Sequence, residues 1–161
     1  MVIILFGVAG AGKTVIGRAL AAALGWQFYD ADQFHPPGNI EKLARGILLT
    51  DEDRWPWLES LAELIRTRLA QGENAVLACS ALRESYRQRL QINDGVKLVY
   101  LKGAYGLIAT RLKQRPGHFM NPTLLRSQFD TLEEPTGGAL VVDVTPSPDE
   151  VVQAIRRGLK L

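Results

Sequence analysis

An α/β fold built on a parallel sheet with helices on both faces is what the sequence predicts, and three observations predict it. Short apolar runs alternate with helical patterns along the whole chain. The first run, residues 2–6, is apolar at every position, as a strand covered on both faces must be. The stretch that follows it, GVAGAGKT at residues 7–14, leads straight into a helix-forming segment. In such sheets ligands sit at the carboxyl ends of the strands.

The elements follow in order. Residues 2–6 form the first strand, ended by Gly7. Residues 14–24 are rich in alanine and leucine, carry Ile16, Leu20 and Leu24 on one face, and stop at Gly25. Residues 26–29 form a second strand. Residues 39–45 form a short helix with Asn39 as cap and Gly46 as stop. Thr50 or Asp53 caps a helix whose apolar face is Trp57, Leu58, Leu61, Leu64 and Ile65; Pro56 leaves its true start open. A third strand spans 75–79, followed by a helix over about 80–91 with Ser80 as its cap. A fourth strand spans 96–101, followed by a helix over about 105–115. Residues 116–122, PGHFMNP, make a proline-bounded loop with the composition of a lid. Pro122 suits a first helical position, so a helix runs to Thr131. Residues 140–143 are the fifth strand, and Ser147, Pro148 and Glu150 give the last helix a capped start. The aromatic and leucine positions Trp57, Phe129 and Leu132 are most simply core.

The bulk numbers bound the function. The 161 residues fit one domain, 1–161, with a sizeable core. Apolar residues make up 47% and charged residues 22%, and the net charge of +2 is too balanced to argue for nucleic acid or an anionic membrane as partner. The charge is unevenly placed: residues 101–126 hold two lysines, three arginines and no acid, whereas residues 30–59 hold seven acids. A single cysteine, Cys79, suits a reducing compartment. The N-terminal run lacks a basic leader, and no stretch reaches the ~18 apolar residues of a spanning helix. A cytoplasmic protein is expected.

The glycine-rich stretch carries the chemistry. It matches G-x-x-x-x-G-K-[ST], with Gly7, Gly12, Lys13 and Thr14 in the fixed places, between a strand and a helix. Chance gives this pattern in roughly one chain of such length in two hundred, before the context is counted. Backbone N–H groups of Gly7, Val8, Ala9, Gly10, Ala11 and Gly12 must curl around phosphate oxygens, which large side chains would prevent. The helix N-terminus adds partial positive charge. Lys13 reaches the β- and γ-phosphates of a nucleoside triphosphate such as ATP, and Thr14 ligates Mg²⁺. The sequence lacks the base-reading N-K-x-D of GTPase switches, and it is short for most motor ATPases. Small-molecule kinases have about this length.

The remaining polar positions each admit two interpretations. Asp30 and Asp32, two apart after the second strand, point the same way if the extended form persists. One orients Mg²⁺ through water and the other accepts a proton from an attacking hydroxyl, or both belong to a solvated turn. His35 hydrogen-bonds a substrate hydroxyl or is structural. Arg54, among three acids, grips a carboxylate or belongs to an ordinary charged helix start. Arg83 and Arg87, four apart, share a helix face that binds an anionic substrate or is merely solvated. Arg111 and Arg115, in the acid-free segment, stack on adenine or neutralise the transferring phosphate, or belong to an ordinary basic helix end.

The segments GVAGAGKT, DADQFHPPGNIEKLARGILLTDEDRWPWL, CSALRESYR, YLKG, RLKQRPGHF, SQFDTLEEP and LVVD together resemble gluconate kinase of the thermoresistant type, over nearly the whole chain. The resemblance implies a P-loop kinase fold with a short lid, related to shikimate kinase. It implies phosphorylation of D-gluconate by ATP with Mg²⁺, and commonly a homodimer. Carried over, it puts Asp32 at the acceptor hydroxyl, Arg54 at the substrate carboxylate, Arg111 against adenine, and Arg115 with His118 in the lid. A kinase for shikimate or another aldonate, and a nucleotide-binding module without turnover, are the rival expectations.

Overall fold

The structure is a computed structural model that describes residues 1–115 and 122–161. Five strands form one parallel sheet in the order β2-β3-β1-β4-β5: β1 (Val2–Phe6), β2 (Gln27–Asp30), β3 (Ala75–Ala78), β4 (Val96–Lys102) and β5 (Ala139–Asp143). β1 lies at the centre, with Val2 in register with both Ala75 and Val96.

Alternation along β1 divides the core into two layers. Ile3 and Leu5 face α1 (Lys13–Leu24), α5 (Tyr105–Lys113), α6 (Pro122–Thr131) and α7 (Pro148–Leu159), where they join Ile16, Leu20, Ile108, Leu125 and Ile155. Val2, Ile4 and Phe6 face α3 (Asp51–Ala70) and α4 (Glu84–Leu90), where they join Trp57, Leu61, Ile65 and Leu90. This two-sided burial is why β1 is apolar throughout. The short α2 (Pro37–Ala44) stands apart from both layers, on the way from β2 to α3.

α3 is capped by Thr50 with Asp53 in a reciprocal capping box and runs through Pro56 without a break. Two caps differ from expectation. Asn39 is no cap: α2 begins at Pro37, and the buried Asn39 side chain turns inward. Ser80 is no cap either. The Cys79 N–H still donates to the Leu5 carbonyl at 3.0 Å and the Ser80 carbonyl accepts the Gly7 N–H at 3.2 Å, so the chain stays committed to its neighbour beyond β3. α4 can start only after Arg83, which takes the cap position with extended backbone.

Candidate active site

The glycine-rich loop joins β1 to α1 at the carboxyl edge of the sheet. Its glycines answer to close packing. A Cβ on Gly7 would stand 2.8 Å from the Leu101 carbonyl oxygen, and one on Gly10 (φ +81°) would stand 2.7 Å from Leu112 of α5. Val8 and Ala11 turn their side chains into the core and anchor the loop. α1 starts after Gly12 with no side-chain cap and no acid in its first turn. Its leading N–H groups and the helix dipole are therefore available to an anion. Lys13 folds back over the loop, its Nζ donating to the Gly7 and Val8 carbonyls at 2.9 Å each. Burial holds its pKa below the ordinary value, opposed by the carboxylates of Asp32 and Asp30.

Four cavities along this edge share lining residues with their neighbours and together make up a cleft region. The first, about 310 Å³, lies between the loop, Arg111, Arg115 and residues 144–148. Arg111 is held there by the Val144 and Thr145 carbonyls at 2.6 and 3.1 Å. The second, about 300 Å³, brings together Lys13, Thr14, Asp30, Asp32 and Arg115. The third, about 500 Å³, runs from Ala9, Lys13 and Asp32 to His35, Trp57 and Arg54. The fourth, about 160 Å³, continues past Arg54 to Tyr86, Ser127 and Gln128.

Asp30 and Asp32 reach this cleft by a different route from the one the sequence suggested. The extended form does not persist. The chain turns into a 3-10 helix, Ala31–Phe34, and the Asp30 carboxylate caps it by accepting the Asp32 N–H at 3.0 Å. Both carboxylates still line the second cavity. Asp32 presents surface to the cleft, yet protein walls surround it on its other sides. Burial, reinforced by the neighbouring Asp30 charge, pushes its pKa above the ordinary value, and Lys13 counteracts this.

His35 stacks on Trp57 at 4.3 Å between ring centroids. Asn39 donates to its Nδ1 at 3.2 Å and to the Asp53 carbonyl at 2.8 Å. That bond makes Nδ1 an acceptor and leaves Nε2–H as a donor. Burial keeps the ring's pKa below the ordinary value, against the opposing pull of Asp32, and so favours the neutral ring. Trp57, expected to be simply core, is core and also cavity wall, fixed by its Nε1–H bond to Ala31 at 2.7 Å.

Arg54 donates through Nη1 to the Leu49 carbonyl at 2.9 Å and to the Tyr86 hydroxyl at 3.2 Å. Tyr86 in turn donates to the Asp51 carboxylate. One edge of the guanidinium is thus fixed by protein. Among the described residues no hydrogen bond engages its Nε or Nη2, and Arg54 lines both the third and the fourth cavity. Tyr86 and Asp51 were not singled out in the sequence, because nothing local marks a tyrosine that braces an arginine 32 residues away.

Arg83 and Arg87 do not share a face. Arg83 is an exposed cap residue outside the helix, so helical spacing does not apply to it. Arg87 is buried and lies over the Phe6 ring at 4.6 Å. It donates to the Ala81 carbonyl at 2.8 Å, the Glu133 carbonyl at 2.6 Å and the Glu84 carboxylate at 3.0 Å. It ties the 81–84 turn to the residues after α6 instead of facing a ligand. Arg87→Ala is expected to lower stability by about 3–5 kcal/mol, because it strands buried carbonyls. Thermal or urea unfolding measures this, and the KM values of whatever enzyme survives should stay near wild type. His118 and residues 116–121 of the expected lid lie outside the described residues; Pro122 opens α6.

Comparison with known proteins decides the family. A family model described as shikimate kinase matches residues 9–135. A gluconokinase of Arabidopsis thaliana is 44% identical, covering 96% of this chain and 89% of its own. The chain belongs to the gluconokinase family. A gluconokinase of Gluconobacter oxydans is 42% identical over 96% of this chain and 89% of its own. The crystal structure of a gluconokinase from Sinorhizobium meliloti is 43% identical and superimposes with a TM-score of 0.89, covering 98% of this chain and 90% of that one. The five-stranded parallel sheet is therefore the P-loop kinase fold, and the protein is a kinase, a phosphotransferase acting on a small molecule. No helix among the described residues is long and apolar enough to cross a membrane.

Proposed function

We propose that the protein transfers the γ-phosphoryl group of ATP to D-gluconate, giving 6-phospho-D-gluconate. The observation that carries this reading is the pair of adjoining cavities that share Lys13 and Asp32 and reach from the phosphate loop to Arg54. The pair has room for a polyphosphate at one end and a fixed cation for a carboxylate at the other. The gluconokinases among its relatives support the choice of acid.

The triphosphate lies on residues 7–14, with adenine beside Arg111 in the first cavity. Contrary to the expectation that every loop N–H meets phosphate, those of Gly7, Ala9 and Ala11 donate to the Ser80 carbonyl, Gln128 Oε1 and the Val8 carbonyl. The gluconate carboxylate meets the unengaged edge of Arg54, and its terminal hydroxyl reaches Asp32. Nε2–H of His35 donates to a hydroxyl along the chain. Lys13 and Arg115, which both line the second cavity, offset charge on the transferring group. The transition state of phosphoryl transfer is loose, so alignment and charge neutralisation outweigh full proton removal.

Magnesium fits this site: the Thr14 hydroxyl and the Asp30 carboxylate are hard oxygen donors lining the same cavity as the phosphate loop. When bound, it supplies Lewis-acid charge neutralisation at phosphate oxygens. The chain acts as one domain, 1–161. A cytoplasmic homodimer is the expected working form; the single free cysteine suits a reducing compartment, and light scattering tests the dimer.

Asp32 must be ionised to accept the hydroxyl proton. Its raised pKa puts the acid limb of kcat/KM above the ordinary aspartate value of 3.8, with activity falling as pH drops through the limb. Asp30→Asn removes a charge that raises that pKa, so the limb should move to lower pH even as the rate falls. A limb that stays in place contradicts the pairing.

The direct test is ADP release over a panel of acids: D-gluconate, other aldonates and shikimate. Gluconate should be the preferred acceptor, by kcat/KM. Preference for shikimate, or ADP release with no acceptor, would overturn the reading.

A further inference from the structure

Helix α6 has two seams. Leu125 and Phe129, with Leu132 just beyond, pack into the core, and Phe129 meets Tyr105 edge-on at 5.3 Å. Leu124, Ser127, Gln128 and Thr131, at helical spacing on the other side, line the fourth cavity. A helix of this kind normally turns its polar seam to bulk water. Here it faces the end of the cleft where Arg54 sits.

Gln128 stands out within that seam, because it lines the third cavity as well and touches the phosphate loop. Its Oε1 accepts the Ala9 N–H at 2.7 Å, across 119 residues of sequence. The backbone N–H can only donate, so the carboxamide is oriented by chemistry: oxygen toward the loop, nitrogen away from it. No hydrogen bond engages Nε2 among the described residues. Ala9 and Gln128 both wall the third cavity, alongside Lys13 and Asp32.

We propose that Gln128 is an acceptor-binding residue that also sets the distance between acceptor and phosphate loop. Nε2–H donates to a hydroxyl of the bound polyhydroxy acid, while Oε1 locks that donor to Ala9. One side chain thereby references the acceptor to the loop that holds the triphosphate. A rigid carboxamide with one end fixed is a better ruler than a mobile cation, because it discriminates hydroxyl position without attracting anions in general. This inference rests on the acceptor being a polyhydroxy acid, as proposed above.

The test separates the two ends of the side chain. Gln128→Glu keeps an oxygen for the Ala9 N–H but replaces the donor with an acceptor. Gln128→Leu removes both. ADP affinity, read by calorimetry, reports the loop without a γ-phosphate to repel the new carboxylate. For Gln128→Glu, ADP affinity should stay within about twofold, while the KM for gluconate rises about tenfold or more, the loss of one good hydrogen bond. Gln128→Leu should match that rise in gluconate KM and also weaken ADP. If Gln128→Leu fails to fold, as shown by its thermal melt, Gln128→Glu decides alone. A wild-type gluconate KM in Gln128→Glu, or a defect confined to nucleotide, overturns the proposal and leaves Gln128 as a brace for the loop. Wild-type enzyme run in parallel distinguishes the other failure. If it prefers a different acid, the gluconate assignment falls and the same KM comparison is made with that acid. If it takes no acid, both fall.

Discussion

Lys13→Ala lowers kcat by about 10²–10³-fold or more, the scale of losing one preorganised charge at a developing negative centre. The fold should survive, because among the described residues Lys13 Nζ makes hydrogen bonds only to the Gly7 and Val8 carbonyls of its own loop. Burial lowers the lysine's pKa, but Asp32 and Asp30 pull it back up, which favours the ammonium form the chemistry needs. The loss should appear chiefly in kcat, since the contact that matters forms with the moving phosphoryl group. Steady-state kinetics at saturating ATP measures it, and activity close to wild type would reject the phosphate assignment.

Arg54→Ala acts at the far end of the cleft. The KM for gluconate is expected to rise about 10- to 100-fold, the scale of a charge-assisted bond, while the KM for ATP stays within about twofold. The geometry explains the size. The Leu49 carbonyl and the Tyr86 hydroxyl pin one edge of the guanidinium, so little entropy is lost when the other edge meets a carboxylate. Arg54→Lys keeps the charge but not the fork, so it should recover only part of the affinity. Equal gluconate affinity before and after the alanine change would move the carboxylate site elsewhere.

What the sequence made legible was local. β1 announces itself because every residue is buried, the loop because its glycines answer to packing within a few ångströms, and α7 because Ser147 and Glu150 form a reciprocal cap. What it hid was fixed at long range. Arg87 has the spacing of a surface pair, but its partner carbonyl lies 46 residues away at Glu133. Asn39 has the look of a cap, but it bridges His35 to Asp53, 14 residues on. Ser80 has a cap's chemistry, but its carbonyl is claimed by Gly7. Asp30 and Asp32 do share a cavity, but only Asp30 is presented by the strand; a short 3-10 helix, not continued extended chain, presents Asp32. Gln128 left one faint signal, a polar seam opposite an apolar one on α6, which is visible in sequence but uninformative until the helix is seen facing a cavity.

The central claim is that one cleft aligns a triphosphate with the terminal alcohol of a sugar acid. Phosphorus-31 and carbon-13 NMR of a reaction holding protein, ATP, magnesium and D-gluconate tests it most directly. The expected result is ADP together with one new phosphate monoester, its phosphorus coupled to C6 of gluconate. ADP with free inorganic phosphate and unaltered gluconate, or an ester on another carbon, would contradict it.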